Sequence, residues 1–422
     1  MRNKKIPLGL AAVLAVFAIS TLMTATLAAA QTEKVLHSFG KGADGFSPES
    51  GLVADANGNL YGTADSGGSI AVGMVYELTP KAGQWVYKAI YNFKFNGRDG
   101  YGPWAGLIID KAGNLYGTTE AGGLHDDGTV FELSPTSSGG WTETVLHSFN
   151  GTQGQAVFGG LTMDAAGNLY GTATGGGIST GNCSGFTYKG CGVVYELKHV
   201  KGGGWAEEVL HYFDKDGTDG FTPYGTLAFD KTGNLYGTTS FGGAFNYGTV
   251  FKLTPSASGW TESIVHSFNN NGSDGFYPSG GVIFDASGNL YGATGNGVNT
   301  STERGTVYEL SPAGGGTWTE TILYSFQSNG VDGTSPGPLT FDSAGNLFGA
   351  TGIGGSNTFG TVFKLSPGSG GWSETILYNF GNPPDAEYPI GGVVFDSAGN
   401  LYGATNAGGA NLGSGAVFEI TP

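Results

Sequence analysis

A closed seven-bladed β-propeller with four-stranded blades is the fold this chain predicts, on three observations. Gly-Asn-Leu-Tyr-Gly recurs, starting at Gly58, Gly113, Gly167, Gly233, Gly288 and Gly399, with Gly-Asn-Leu-Phe-Gly at Gly345; the spacings along the chain are 55, 54, 66, 55, 57 and 54 residues. A period of that size is one supersecondary unit copied around a solenoid, an array or a propeller. Each copy also divides into four short runs rich in β-branched and aromatic residues, separated by Gly, Asp, Asn, Ser and Pro, which reads as four strands joined by turns. Finally, the last repeat stops at 415–422 after its third strand, while Glu33-Lys-Val-Leu-His-Ser-Phe39 matches the fourth strand Glu143-Thr-Val-Leu-His-Ser-Phe149 almost letter for letter. A linear solenoid has no reason to split a repeat in this way, whereas a ring closed by an N-terminal strand does.

From the N-terminus, residues 1–30 read as a secretory signal. Arg2, Lys4 and Lys5 precede an apolar core from Leu8 to Ile19, and Ala28-Ala29-Ala30 offers a small-residue cleavage site. The domain organisation expected is therefore a signal peptide over 1–30 and a single propeller domain over 31–422. Formal net charge is -16, and loss of the three leader cations makes it -16 - 3 = -19. A chain this acidic is repelled by nucleic acid and by anionic membrane surfaces, so neither is an expected partner. The mature chain is expected to be soluble, monomeric, bacterial, and secreted or periplasmic.

Within a repeat, strands a and b are joined by Asp-x-x-Gly-Asn, as in Asp110-Lys-Ala-Gly-Asn114. Gly tolerates positive φ and the Asp carboxylate can bond the amides that follow it, so this is a hairpin turn. Strand d opens with Trp at 85, 141, 205, 260, 318 and 372 and ends in Phe at 93, 149, 213, 268, 326 and 380. Aromatics in such fixed phase are expected to pack blade on blade. His147, His211 and His266 share a position with Tyr91, Tyr324 and Tyr378, which reads as a packing site that takes either ring. Glu143, Glu207, Glu262, Glu320 and Glu374 follow the Trp by two residues on the outermost strand, where charge discourages edge-to-edge pairing.

The pattern Gly-Leu-x-x-Asp-x-x-Gly-Asn-Leu-Tyr-Gly-Thr-Thr-x-x-Gly-Gly, followed by Gly-Thr-Val-Phe-x-Leu-x-Pro, resembles the GloVer tandem repeat, named for Gloeobacter and Verrucomicrobia. The resemblance covers essentially all of residues 33 to 422. It implies a secreted bacterial repeat protein, in some members carrying a C-terminal surface-sorting anchor, a tail that a chain ending on strand c is expected to lack. It supplies no established activity and no catalytic residues.

Chemistry is therefore sought where the repeat is broken. The d-to-a and b-to-c loops share one face, and variation concentrates there. The d-to-a loops carry Asp44, Asp99, Asp219, Asp274, Asp332 and Asp385. Turn formation is the ordinary role for such aspartates; no cofactor is expected, with calcium on these oxygen-rich loops as the alternative. Three departures fall in one sector: His125-Asp126-Asp127 in the b-to-c loop of blade two, the d-to-a loop 150–158 that has lost Asp-Gly, and the insertion from Cys183 to Cys191 in blade three. Trp104 lies beside them. The two cysteines are expected to form a disulfide in an oxidising compartment. Trp104, His125, Asp126, Asp127, Phe186 and Tyr188 are the candidate ligand-binding residues, with aromatics to stack on a ligand and a His beside carboxylates for polar contacts. The expected function is a binding or interaction role toward a glycan, peptide or surface polymer. The alternative is a polysaccharide lyase or hydrolase on the same scaffold; no catalytic residue is assigned and no metal site is expected.

Overall fold

The inner hairpin of each blade is set by its Asp-x-x-Gly-Asn turn. In the computed structural model, which describes residues 32–41, 44–178, 183, 188–299, 302–411 and 413–421, Asp110 Oδ1 accepts from the amides of Ala112 and Asn114 at 2.8 Å each. Its Oδ2 accepts from Asn114 Nδ2 at 2.9 Å and from the Tyr116 hydroxyl at 3.2 Å. The carboxylate thus ties the turn to the strand that leaves it, and the pattern repeats at Asp55, Asp164, Asp230, Asp285 and Asp396. Many donors on one carboxylate favour the charged form and hold Asp55, Asp110, Asp230, Asp285 and Asp396 below the usual range.

Seven antiparallel sheets follow from seven such hairpins. In blade two the strands are a, Ile108–Ile109; b, Leu115–Thr119; c, Thr129–Pro135; and d, Trp141–Ser148. Blade seven takes a, b and c from Val394–Phe395, Leu401–Thr405 and Ala416–Thr421, and d from Thr32–Ser38. Lys34 lies opposite Glu419, Val35 opposite Phe418 and His37 opposite Val417, so the N-terminal strand closes the ring in the register of every other strand d. No helix occurs among the described residues, hence none long and apolar enough to cross a membrane. The leader-like segment 1–30 and Phe186 lie outside the described residues.

The core sits between blades, one apolar cluster per interface. Phe39, Tyr76, Leu78, Tyr402 and Val417 fill the junction of blades seven and one. Each strand-d Phe meets an aromatic of the next blade's strand c, as Phe93 meets Phe131 at 5.1 Å and Phe149 meets Tyr195 at 4.8 Å. Strand b keeps a glycine to admit that ring: a Cβ on Gly117 would stand 2.6 Å from Phe131 Cζ. Each strand-d Trp lies edge-on to the strand-b Tyr of the preceding blade, as Trp141 does to Tyr61 at 5.8 Å. Every strand d also carries a register shift after its Trp end, in blade two between Val145 and His147. Such a bulge re-aims the residues beyond it, so Trp141 faces the blade before and His147 the blade after.

The d-to-a segments read as loops are partly paired. Gly100–Tyr101 pairs with Ala121–Gly122, and Gly220–Pro223 with Leu235–Gly242, extending the sheets toward the loop face.

Candidate ligand-binding site at the axial mouth

The residue before the repeat's proline aims the site. Ser47, Gly102, Ala156, Thr222, Tyr277, Ser335 and Tyr388 all hold φ between 55° and 66°, a left-handed conformation that costs a side-chain-bearing residue on the order of 1 kcal/mol or more. The surrounding hydrogen bonds over-determine it. The amide of Ala156 donates to the Asp127 carbonyl of the preceding blade at 3.1 Å, and its own carbonyl accepts from Thr174 at 3.1 Å. The same pair of bonds grips Ser47, Gly102 and Tyr388. Each clamp turns the residue after the proline position toward the axis, so Glu49, Trp104, Phe158, Tyr224, Ser279 and Ile390 come together around one cavity of about 680 Å³. Below them the inner segments touch backbone to backbone: a Cβ on Gly391 would stand 2.4 Å from the Ser50 carbonyl carbon.

The wall of this mouth is uneven. Phe158 stacks on Tyr224 with centroids 5.6 Å apart, and Trp104 meets Phe158 edge-on at 5.5 Å. Tyr188, from the blade-three insertion, meets Phe158 at 5.8 Å. Glu120 ties the aromatics together, accepting from Trp104 Nε1 at 3.1 Å and from the Tyr188 hydroxyl at 2.8 Å. Glu49 accepts from Asn406 Nδ2 through Oε1, while its Oε2 is buried without a hydrogen-bond partner. Burial and the nearby Asp65 push Glu49 up to about 7. Burial first, then the negative charge of Glu49 and Glu120, pushes the Tyr224 hydroxyl up to about 12. The opposite arc presents Ser279, Pro338 and Ile390.

A second set of polar groups lies between blades. His211 Nε2 and His266 Nε2 stand 3.1 Å from Asp219 Oδ2 and Asp274 Oδ2, and His37 stands 2.9 Å from Asp44 Oδ2. Where the ring is Tyr, its hydroxyl donates to the same oxygen, Tyr91 to Asp99 at 2.7 Å and Tyr324 to Asp332 at 3.1 Å. His and Tyr thus share a position because both offer a hydrogen-bond donor to a loop Asp, a finer rule than ring packing. The strand-d glutamates are not edge guards. They turn inward to the Asp of the preceding blade, because Glu143 lies two residues from Trp141 on the same face of the strand. One oxygen of each of Glu33, Glu143, Glu207, Glu262, Glu320 and Glu374 is buried without a partner. Burial first, then in most cases the neighbouring Asp, pushes Glu33, Glu143, Glu262 and Glu374 up to about 7 and raises Glu320. Two triads, His211 with Asp219 and Glu262, and His266 with Asp274 and Glu320, bring their ligand-type atoms within 4.8 Å of one another. The equivalent Tyr324, Asp332 and Glu374 assemble through hydrogen bonds alone, which explains the arrangement without an ion.

A model of the Gloeobacter/Verrucomicrobia repeat matches residues 16–186 and 261–422. The chain belongs to this repeat family. No curated protein matches it in sequence. Among solved structures it is similar to a putative gluconolactonase, at 16% identity and a TM-score of 0.41, with 83% of this chain and 95% of that one covered. It is likewise similar to a luciferin-regenerating enzyme, at 13% identity and a TM-score of 0.43, covering 93% of this chain and 95% of that one.

In this Gloeobacter/Verrucomicrobia repeat propeller, the three irregular loops meet as neighbours: Gly177 donates to Gly151 at 2.9 Å, and Ala156 to Asp127. Cys183 and Cys191 are bonded to each other and buried against Phe213 and Phe221. Of the residues singled out from the sequence, Trp104 and Tyr188 converge on Glu120. Asp126 instead accepts from the Tyr101 hydroxyl at 2.7 Å, and His125 is exposed on the loop; neither they nor Asp127 line the mouth. Glu49, Glu120, Phe158 and Tyr224 were missed. The signal that finds Glu49, Phe158 and Tyr224 is the column after the repeat's proline position, Glu49, Trp104, Phe158, Tyr224, Ser279, Gly337 and Ile390, which varies while its neighbours hold.

Proposed function

We propose that this chain is a ligand-binding propeller, acting outside the cytoplasm, whose ligand seats at the axial mouth against Trp104, Phe158, Tyr188 and Tyr224. One observation carries the reading: four aromatic side chains from different segments converge on one wall, two of them bonded to Glu120, in a ring that is otherwise near-symmetric. Flat, partly exposed rings beside hydrogen-bonding carboxylates suit a ligand with both an apolar face and polar edges, and a cavity of this size takes one sugar or side-chain-sized group. The loop face around it also carries exposed apolar side chains, among them Phe95, Leu124, Phe245 and Ile353, which suits a larger glycan, peptide or surface polymer lying across the mouth. The leader-like N-terminus and the disulfide support an extracellular setting.

The test is a screen of the protein against glycans, peptides and polysaccharides, followed by Trp104→Ala and Tyr224→Ala on every hit. Both variants should weaken binding at least tenfold, and Phe359→Ala on blade six should leave it unchanged. Hits insensitive to both substitutions would place the ligand elsewhere and overturn the reading.

A further inference from the structure

Resting on that reading of the mouth, we infer that the ligand group it takes is an organic cation, an ammonium carried on an apolar or sugar-like body. Three features of the cavity converge on this chemistry. Glu49 lines the mouth, and Glu120 stands behind its aromatic wall, bonded to Trp104 and Tyr188. Glu49 and Glu120 both act on Tyr224, and Asp65 acts on Glu49. Among the described residues, no Lys, Arg or His lines the cavity to answer those carboxylates. Glu49 itself lines the cavity, and its Oε2 has no hydrogen-bond partner. A cation seated in the cavity offsets the charge of a carboxylate that no basic side chain answers.

The aromatic wall fits the same guest. Ring faces carry negative potential and attract ammonium groups, most strongly where several rings and a carboxylate surround the charge. Tyr224 is 41% exposed, so its ring, stacked on Phe158, remains open to a guest. Trp104 and Tyr188 are held by Glu120 through their polar atoms, which leaves the carboxylate charge at the edge of the wall rather than neutralised. A neutral sugar could stack here, yet it would leave Glu49 unanswered; an anion would be repelled by Glu49, by Glu120 and by a chain of net charge -16.

The experiment compares choline with its neutral isostere 3,3-dimethylbutan-1-ol by calorimetry and tryptophan fluorescence, on the full folded chain. Glucosamine trimer and a lysine tripeptide are parallel arms that tell an amino-sugar source from a peptide source. Choline should bind at least tenfold more tightly than the isostere and weaken as salt is raised. Glu49→Gln and Glu120→Gln together should remove that preference, bringing choline down to the affinity the same double variant shows for the isostere. Equal binding of choline and the isostere, with both lost in Trp104→Ala, would overturn the charge inference and leave the mouth as the binding site. Binding of cations that ignores Trp104→Ala and Tyr224→Ala would overturn both. The absence of choline, glucosamine and lysine-peptide binding at tens of millimolar would overturn the inference outright.

Discussion

Trp85 of blade one lies edge-on to Tyr402 of blade seven, with ring centroids 5.7 Å apart and planes at 65°. This contact crosses the junction between the last blade and the first, and it is the same Trp-on-Tyr contact that Trp141 makes with Tyr61 between blades one and two. Closure therefore reuses the repeat's own interface, with Thr32–Ser38 supplying strand d of blade seven.

Removing that strand should be costly. Deletion of residues 31–40 strips the partner from Ala416–Thr421 and removes the fully buried Phe39. Burying one such side chain is worth about 1.5–3 kcal/mol, and the exposed edge adds to the loss, so a drop of several kcal/mol is expected. Chemical denaturation of the truncated chain checks it; an unchanged midpoint would reject closure by this strand.

The His and Asp pairs give a contrast within one protein. His147 faces the one loop that lacks the Asp, and its Nε2 is buried without a partner; burial pushes it down to about 4. Gln153 of that loop donates to Glu207 instead, at 2.7 Å. His147→Phe should therefore leave stability unchanged or raise it, since it removes an unsatisfied polar atom. His211→Phe should lower stability by about 1–3 kcal/mol, because Asp219 loses its ring donor. Paired melting curves decide, and equal losses in both variants would contradict the assignment.

Much of this was legible in the sequence. The split repeat announced the seam, the Asp-x-x-Gly-Asn spacing announced the turn, and the phased Trp announced the blade contact, because each depends only on local period and pairing. The inward course of Glu143 was also present, since residues two apart on a strand share a face and Trp141 had already been placed inward. An expectation about charged edge strands overrode that period. The bulge that sends His147 to the opposite interface leaves no such signature, and the mouth depends on seven left-handed residues brought together only by ring closure. Trp104 and Tyr188 stood out as departures from the repeat, whereas Tyr224 sits in a copy that otherwise keeps it.

The inter-blade glutamates predict an acid-favoured fold. Glu33, Glu143, Glu207, Glu262 and Glu374 are raised to about 7 and Glu320 is raised as well, chiefly by burial. The folded chain then holds protons that the unfolded chain releases between about 4.5 and 7, so unfolding free energy falls as pH rises across that window. Their contribution is fully present below about 4.5 and lost on passing 7. His147 acts in the opposite sense between 6.5 and about 4, as one group against six. Asp110 and Asp230, held below their usual range, lose their contribution only as pH falls beneath about 3.8. The melting temperature should be higher at pH 5 than at pH 8, and Glu262→Gln should flatten part of that slope. A higher value at pH 8 would refute the account.

The disulfide should matter to the site more than to the ring. Cys191 is three residues from Tyr188, and its carbonyl accepts from the left-handed Thr222 at 2.9 Å, two residues before Tyr224. The bonded pair therefore supports two of the four aromatics at the mouth from behind. Cross-linking residues eight apart contributes about 2–3 kcal/mol, mostly by restricting the unfolded loop, while the other six blades keep their own interfaces. Cys183→Ser with Cys191→Ser should lower the melting temperature modestly and weaken ligand binding at the mouth by a larger factor than Cys-independent loop changes on blade six. Mass mapping of non-reduced protein should find both thiols consumed. If the double variant binds as tightly as the parent, Tyr188 and Tyr224 are held by the blade alone and the cross-link has no part in shaping the site.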